Sequence, residues 1–156
     1  LRNKLLQKDE LSTRLKYIID KGRLVSDDVL NEIVSKRISN HDCLRGFILD
    51  GYPRTMGQAL FLNTILNSKN LKINKIIDID VDEKIIVKRI ISRSKAEDRP
   101  DDKKEVIRTR ISRYLSETKP LSDFYKSKYP SDYLKINGNQ EIEKITEDIV
   151  KILEKW

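Results

Sequence analysis

The chain is poor in cysteine, histidine and glycine, and it has no long apolar run. A single cysteine, Cys43, excludes an internal disulfide and a multi-cysteine zinc site, and reads as a small buried or half-buried hydrophobe. The single histidine, His41, stands beside Asp42 in a polar connector and reads as a surface residue rather than a catalytic one. The five glycines are Gly22, Gly46, Gly51, Gly57 and Gly138, and none opens a G-x-x-x-x-G-K run. These residues therefore hold no phosphate-cradling loop of that type. No apolar stretch approaches a membrane span, and no basic, apolar and small-residue leader pattern opens the sequence. A cytoplasmic protein without a membrane partner is the expectation.

What is present is charge of both signs. Of 156 residues, 38% are hydrophobic and 37% charged, which suits one domain rich in amphipathic helices and long enough for a core. The net charge of +7 could point to nucleic acid. The signs are interspersed, however, as in Glu141, Glu143, Lys144, Glu147, Asp148 and Lys151, which is the pattern of a solvated helix face. With no dense basic run and no aromatic platform, no nucleic-acid partner is expected.

Periodicity orders the rest. Leu1 to Lys8 reads as a helix tail, and Glu10 to Lys21 as a helix stopped by Gly22. Ser26 is placed to cap a helix carrying Leu30, Ile33, Val34 and Ile38, with Asp27 and Asp28 in its first turn. Gly46 to Asp50 reads as a buried strand, and Thr55 can cap a helix to about Asn67. Lys75 to Val81 reads as a second strand, followed by a helix capped by Asp82. A polar segment from Ser94 to Asp101 interrupts the helical pattern. Asp102 to Glu117 then forms a long helix with Ile107, Ile111, Tyr114 and Leu115 inward, and Pro120 breaks the chain before Leu121 to Lys128. Tyr133 to Ile136 is a third strand, Asn137-Gly138 a turn, and Glu141 to Trp156 a closing helix anchored by Trp156. Alternating strands and helices predict a parallel sheet with helices on both faces, an α/β fold of three layers.

The most informative run is GFILDGYPRT, Gly46 to Thr55. Asp50 stands at the carboxyl end of the expected strand, Gly51 frees the backbone, Pro53 stiffens it, and Arg54 projects from the turn. Ligands of open α/β sheets bind at the carboxyl ends of strands, so an acid and an arginine there point to a phosphate-bearing ligand. The plain alternative is a strand-to-helix turn whose charges are solvated or paired with each other.

The run closely resembles the nucleoside monophosphate kinases, adenylate kinases most of all. GRLVSDD from Gly22 to Asp28, Gln58, RPDD from Arg99 to Asp102, Arg110, and YLSETKPLSDFY from Tyr114 to Tyr125 follow in the family's order and at about its spacing. The resemblance covers essentially the whole chain. It implies reversible phosphoryl transfer from Mg-ATP to AMP giving two ADP, in a monomer whose mobile segments close over both nucleotides and exclude water.

The resemblance also implies a role for each matching residue. Arg2, Arg54 and Gln58 match the monophosphate site, with Arg23, Leu24 and Val25 lining it and Gly51, Tyr52 and Pro53 forming its wall. A guanidinium grips phosphate oxygens as a fork, and the Gln58 amide can pair with an adenine edge. Arg89 and Arg93, four apart on one helix, match the ATP side. Arg99 and Arg110 match arginines that reach the transferring phosphates, oriented by Asp101 and Asp102. Arg54, Arg93, Arg99, Arg110 and Asp50 are thus the expected catalytic group. Asp50 would stand near Mg²⁺ through water, and Gly138 to Gln140 beside the adenine of ATP.

Only five residues separate Arg93 from Arg99, which resembles the short-lid members and leaves no room for a zinc-binding lid; residues 94–101 are the expected lid. Asp98 stands where the family often has glycine. Residues 1–25 are expected to be part of the monophosphate-binding segment. The family's first strand and glycine-rich loop, about 30 residues, are expected to lie outside this chain, which opens on Leu1. The expected fold is therefore a P-loop kinase fold lacking that strand and loop, and the 156 residues alone are expected to show no appreciable kinase activity. Thr55 and Gln58 favour adenine over the alternative of a UMP/CMP kinase. A non-catalytic nucleotide-binding fragment is the remaining alternative.

Overall fold

The computed structural model describes residue 13 and residues 25–97 and 104–154. The described residues divide into two units, one within Leu1–Pro53 and Gly57–Lys69, the other within Arg54–Met56 and Asn70–Trp156. The expected helices over Leu1 to Lys21 and the Trp156 anchor lie outside the described residues.

In the first unit, helix α1 spans Asp27–Ile38, with Asp27 and Asp28 in its first turn and Lys36 and Arg37 in its last. That charge order complements the helix dipole. Ser26 occupies the N-cap position, yet its hydroxyl makes no capping bond; its carbonyl accepts the Leu30 N–H at 3.1 Å. A short 3₁₀ turn, His41–Cys43, follows. There the Arg37 fork grips both carboxylate oxygens of Asp42 at 2.8 Å and also reaches Cys43 Sγ. Cys43 is buried, as expected, and His41 is exposed. Helix α2, Met56–Ser68, buries Gln58, Ala59, Leu62, Ile65 and Leu66, a stripe at helical spacing. With Val29, Ile38 and Cys43 these residues are the unit's core.

The strand expected at Gly46 to Asp50 is not there. Residues 46–49 take no regular structure, and Ile48 is 87% exposed. An apolar tripeptide becomes a strand only when its backbone groups join a neighbour, and among the described residues none pairs with it.

The second unit carries a parallel pair, β1 (Ile76–Asp80) and β2 (Tyr133–Asn137), in register from Ile76↔Tyr133 to Asp80↔Asn137. Parallel strands need a long crossover. Here it contains α3 (Glu83–Glu97), α4 (Lys104–Arg113) and α5 (Lys119–Lys128), and α6 (Ile142–Glu154) follows β2. Leu121, Tyr125, Ile136 and Ile145 are buried. The α/β class and both strand positions agree with the sequence reading to within a residue or so.

Two expectations change in this unit. Helix α3 runs on to Glu97, so the polar segment does not break it at Ser94; Lys95, Ala96 and Glu97 are good helix formers. Pro120 does not break the chain either. Helix α4 gives way to a π-helical turn, Tyr114–Thr118, which leads directly into α5 with Pro120 in its first turn. A proline is tolerated there because that N–H is not needed, and the π turn absorbs the change of hydrogen-bond pattern. The wider turn also shifts side chains off the 3.6-residue phase. Tyr114 and Leu115, expected inward, are 38% and 46% exposed. Among the described residues no helix is long and apolar enough to cross a membrane.

Candidate functional site

In the first unit the GYP turn is built on Gly51, whose φ of +69° lies where L side chains are disfavoured, and on a cis Tyr52–Pro53 peptide. Asp50, just before it, is exposed. The turn is tied down through Tyr52. Its hydroxyl donates to Asn31 Oδ1 at 2.5 Å and lies 3.4 Å from the Gln58 carbonyl oxygen. Gln58 in turn donates from Nε2 to Asp27 Oδ1 at 2.6 Å. Asn31 and Gln58 are both buried. Burial, then the nearby charge of Asp27, pushes the Tyr52 hydroxyl up to about 12. Asp27 and Asn31 are four apart on α1 and so share a face. One helix face thereby receives the turn through Tyr52 and the start of α2 through Gln58. Val25, just ahead of α1, is half-buried.

In the second unit Arg54 is exposed, and its carbonyl accepts the Thr118 hydroxyl at 2.9 Å. The π turn thus fixes the backbone from which Arg54 projects. The turn after β2 is pinned from four sides. Gly138 N–H donates to the Asp80 carbonyl at 2.7 Å, and Asn139 Oδ1 accepts the Asp82 N–H at 2.8 Å. Arg89 donates to the Gln140 carbonyl at 2.7 Å, and Gln140 Nε2 donates to Asp148 at 2.7 Å. A Cβ at Gly138 would collide with a Val81 methyl and stand 2.7 Å from an Ile79 methyl, so the backbone approach requires glycine. On β1, Asp78 accepts from Ser122 at 2.9 Å and from the Tyr133 hydroxyl. Burial first, then that bond to Asp78, pushes Tyr133 up to about 12.

Of the residues expected to bind AMP, Gly51, Tyr52, Pro53 and Gln58 come together in the first unit, while Arg54 belongs to the second. Of those expected on the ATP side, Arg89 and Gln140 are in direct contact. Arg93 and Arg110 fall on α3 and α4, with side chains outside the described set. Arg2, Arg23, Leu24, Arg99, Asp101 and Asp102 lie outside the described residues altogether. Reading the sequence missed Asn31, Thr118, Asp78, Ser122 and Tyr133, and took Asp27 only as a first-turn acid. The i, i+4 spacing of Asp27 and Asn31 was the available signal.

Two open grooves, of about 470 and 840 Å³, are lined by residues 28–36 with Phe61 and by residues 82–87. Neither contains a residue expected in the site. Among the described residues no group of three or more His, Cys, Asp or Glu is placed to hold a metal ion.

Ligands of open parallel α/β sheets bind beyond the carboxyl ends of strands, and the glycine turn after β2 stands at such an end. The family model described as Adenylate kinase matches residues 1–129. An adenylate kinase of Brucella anthropi is 42% identical over 98% of this chain and 81% of its own length. Those of Brucella melitensis and Brucella ovis match equally well in identity and coverage. The chain belongs to the adenylate kinase family, and so to the nucleoside monophosphate kinases, which are transferases.

Proposed function

We propose that the protein transfers the terminal phosphoryl group of Mg-ATP to AMP, reversibly, giving two ADP. The acceptor phosphate has a second pKa of about 6 and is largely anionic at neutral pH, so the site must supply alignment and positive charge rather than a strong base. In this reading Arg54 and Arg2 supply the guanidinium groups for the acceptor phosphate, and Gln58 reads the base. Arg93, Arg99 and Arg110 meet the transferring phosphate. Arg89 fixes the turn at Gln140, whose backbone faces the adenine of ATP.

Mg²⁺, when bound with ATP, neutralises charge on the nucleotide's phosphates. Asp50 fits that ion as a distant partner. One exposed carboxylate is too few donors for a cage but is suited to a metal that keeps its waters.

The observation that carries the reading is the stiffened turn, with Arg54 exposed at its end and its carbonyl fixed by Thr118. Equilibrium binding of AMP, CMP, UMP and GMP tests it. AMP is expected to bind most tightly; preference for CMP or UMP would overturn the assignment. Arg54→Ala should weaken AMP binding by about 10- to 100-fold, the weight of a charge-assisted hydrogen-bonded grip, with the far-UV dichroism unchanged.

A further inference from the structure

Gln58 is an unusual base reader because a side-chain amide can be turned over. In one orientation Oε1 accepts from a base amino group and Nε2 donates to a ring nitrogen, which suits the adenine edge. Turned over, Nε2 donates to a ring-carbonyl oxygen and Oε1 accepts from a ring N–H, which suits hypoxanthine or guanine. An amide with no anchor would read either, so something must hold it. The structure supplies a holder. Asp27 Oδ1 accepts from Gln58 Nε2 at 2.6 Å, and a carboxylate can only accept. Turning the amide over would set Oε1 against the Asp27 carboxylate, two acceptors facing each other where Gln58 is 3% exposed. Nε2 carries two hydrogens, and Asp27 takes one of them. At 3% exposure, the amide meets a base only when what covers it withdraws.

We propose that Asp27 is a positioning residue that locks the Gln58 amide in the adenine-reading orientation and thereby excludes 6-oxopurine nucleotides. Asp27 itself touches no base in this scheme. The proposal rests on the reading of Gln58 as the residue that meets the base.

The test is the ratio of AMP to IMP affinity, measured by titration calorimetry on the 156-residue chain and its variants. The two ligands differ only in the edge at purine positions 1 and 6. The native chain should favour AMP by about 10- to 100-fold, the discrimination of one bidentate pair. Asp27→Asn offers a donor as well as an acceptor, tolerates either orientation, and should cut that ratio by about tenfold, chiefly by strengthening IMP. Asp27→Glu keeps an acceptor-only group and should retain most of the preference. Gln58→Ala should abolish it.

A ratio unchanged in Asp27→Asn, with both affinities equal to native or lowered together, overturns the positioning role. A purely structural loss moves both ligands alike and does not move the ratio. Should Asp27→Asn fail to fold, Asp27→Ser serves, since its hydroxyl also donates and accepts. If the native chain shows no AMP preference, or Gln58→Ala keeps it, the base-reading assignment of Gln58 itself falls. That outcome is distinct from a failure of Asp27 alone.

Discussion

Helix α2 of the first unit and strand β1 of the second both carry aliphatic side chains, but α2 buries a full stripe of them and β1 buries none completely. Along α2, Ala59 is 0% exposed and Leu62 3%, while on β1 Ile79 is 44% exposed. The strand has one hydrogen-bonded neighbour among the described residues, and its outward isoleucine meets solvent. Composition set the tendency to bury; the neighbours decided how far it was met. Truncation tests this contrast most strongly. Leu62→Ala should cost about 2–5 kcal/mol, the transfer term plus a cavity. Ile79→Ala should cost less, about 1 kcal/mol, since nearly half of that residue already meets water. Denaturant midpoints of the two variants measure the gap, and equal costs would mean that β1 is covered in solution.

The units differ next in how they treat polar side chains. The first holds a connected set, Asp27, Gln58, Tyr52 and Asn31, across α1, the GYP turn and α2, with Asn31 and Gln58 buried. Removing one member strands its partner away from water. Tyr52→Phe should therefore cost about 1–3 kcal/mol, with Asn31 Oδ1 losing its donor. Adding Asn31→Leu removes the stranded group as well. The double variant should be more stable than the two single costs predict, with a coupling above about 0.5 kcal/mol in a double-mutant cycle. Simple additivity would mean that the hydroxyl and the amide are not partners.

The contrast also explains what could be read from the sequence. The α2 stripe, the strands at Ile76 and Tyr133 and the closing helix follow from local period, and the Gly51 turn from local backbone chemistry. Gly46 to Asp50 has the composition of a strand, but a strand is a pairing and cannot be read from one segment. The π turn at Tyr114 escaped because Pro120 signals a break equally well for a stop and for a change of helical phase. The Asp27–Gln58 bond joins residues 31 apart in sequence, and no local pattern announces it. Family motifs assign Gln58 to the expected site, and the bond between Asp27 and its amide appears only in the structure.

A smaller effect should appear at alkaline pH. Tyr52 in the first unit and Tyr133 in the second both keep their protons up to about 12, whereas an unfolded tyrosine releases its proton near pH 10. Between these values the folded chain binds more protons than the unfolded one. The stability from both hydroxyls is thus complete below about pH 10 and lost as pH rises through about 12. Tyr114 and Tyr129 are raised as well, by burial first, and add to the same window. Thermal midpoints should fall across it. Tyr52→Phe should narrow its deficit against the native chain there, because the native chain alone loses the Tyr52 contribution. A constant deficit would mean that Tyr52 titrates as in the unfolded chain.

The smallest effect contrasts two ion pairs, one in each unit. Lys75 reaches Asp132 at 2.7 Å with side chains 20% and 38% exposed, and Asp132 also accepts the Ile76 N–H through its carbonyl at 2.8 Å, where β1 begins. Lys36 reaches Glu32 at 2.8 Å one helical turn away, with side chains 64% and 39% exposed. Glutamate ahead of lysine at this spacing is the better order on a helix, but both ends stay in water and the long lysine stem must be held still. The Lys36–Glu32 coupling should be about 0.3–0.5 kcal/mol at low salt and should fade towards zero by about 1 M, where the Debye length is near 3 Å. The Lys75–Asp132 coupling should be larger and less sensitive to salt, since its ammonium is more shielded from solvent. Double-mutant cycles at low and high salt separate the two. Equal couplings with equal salt dependence would mean that the start of β1 is as open to water as the surface of α1.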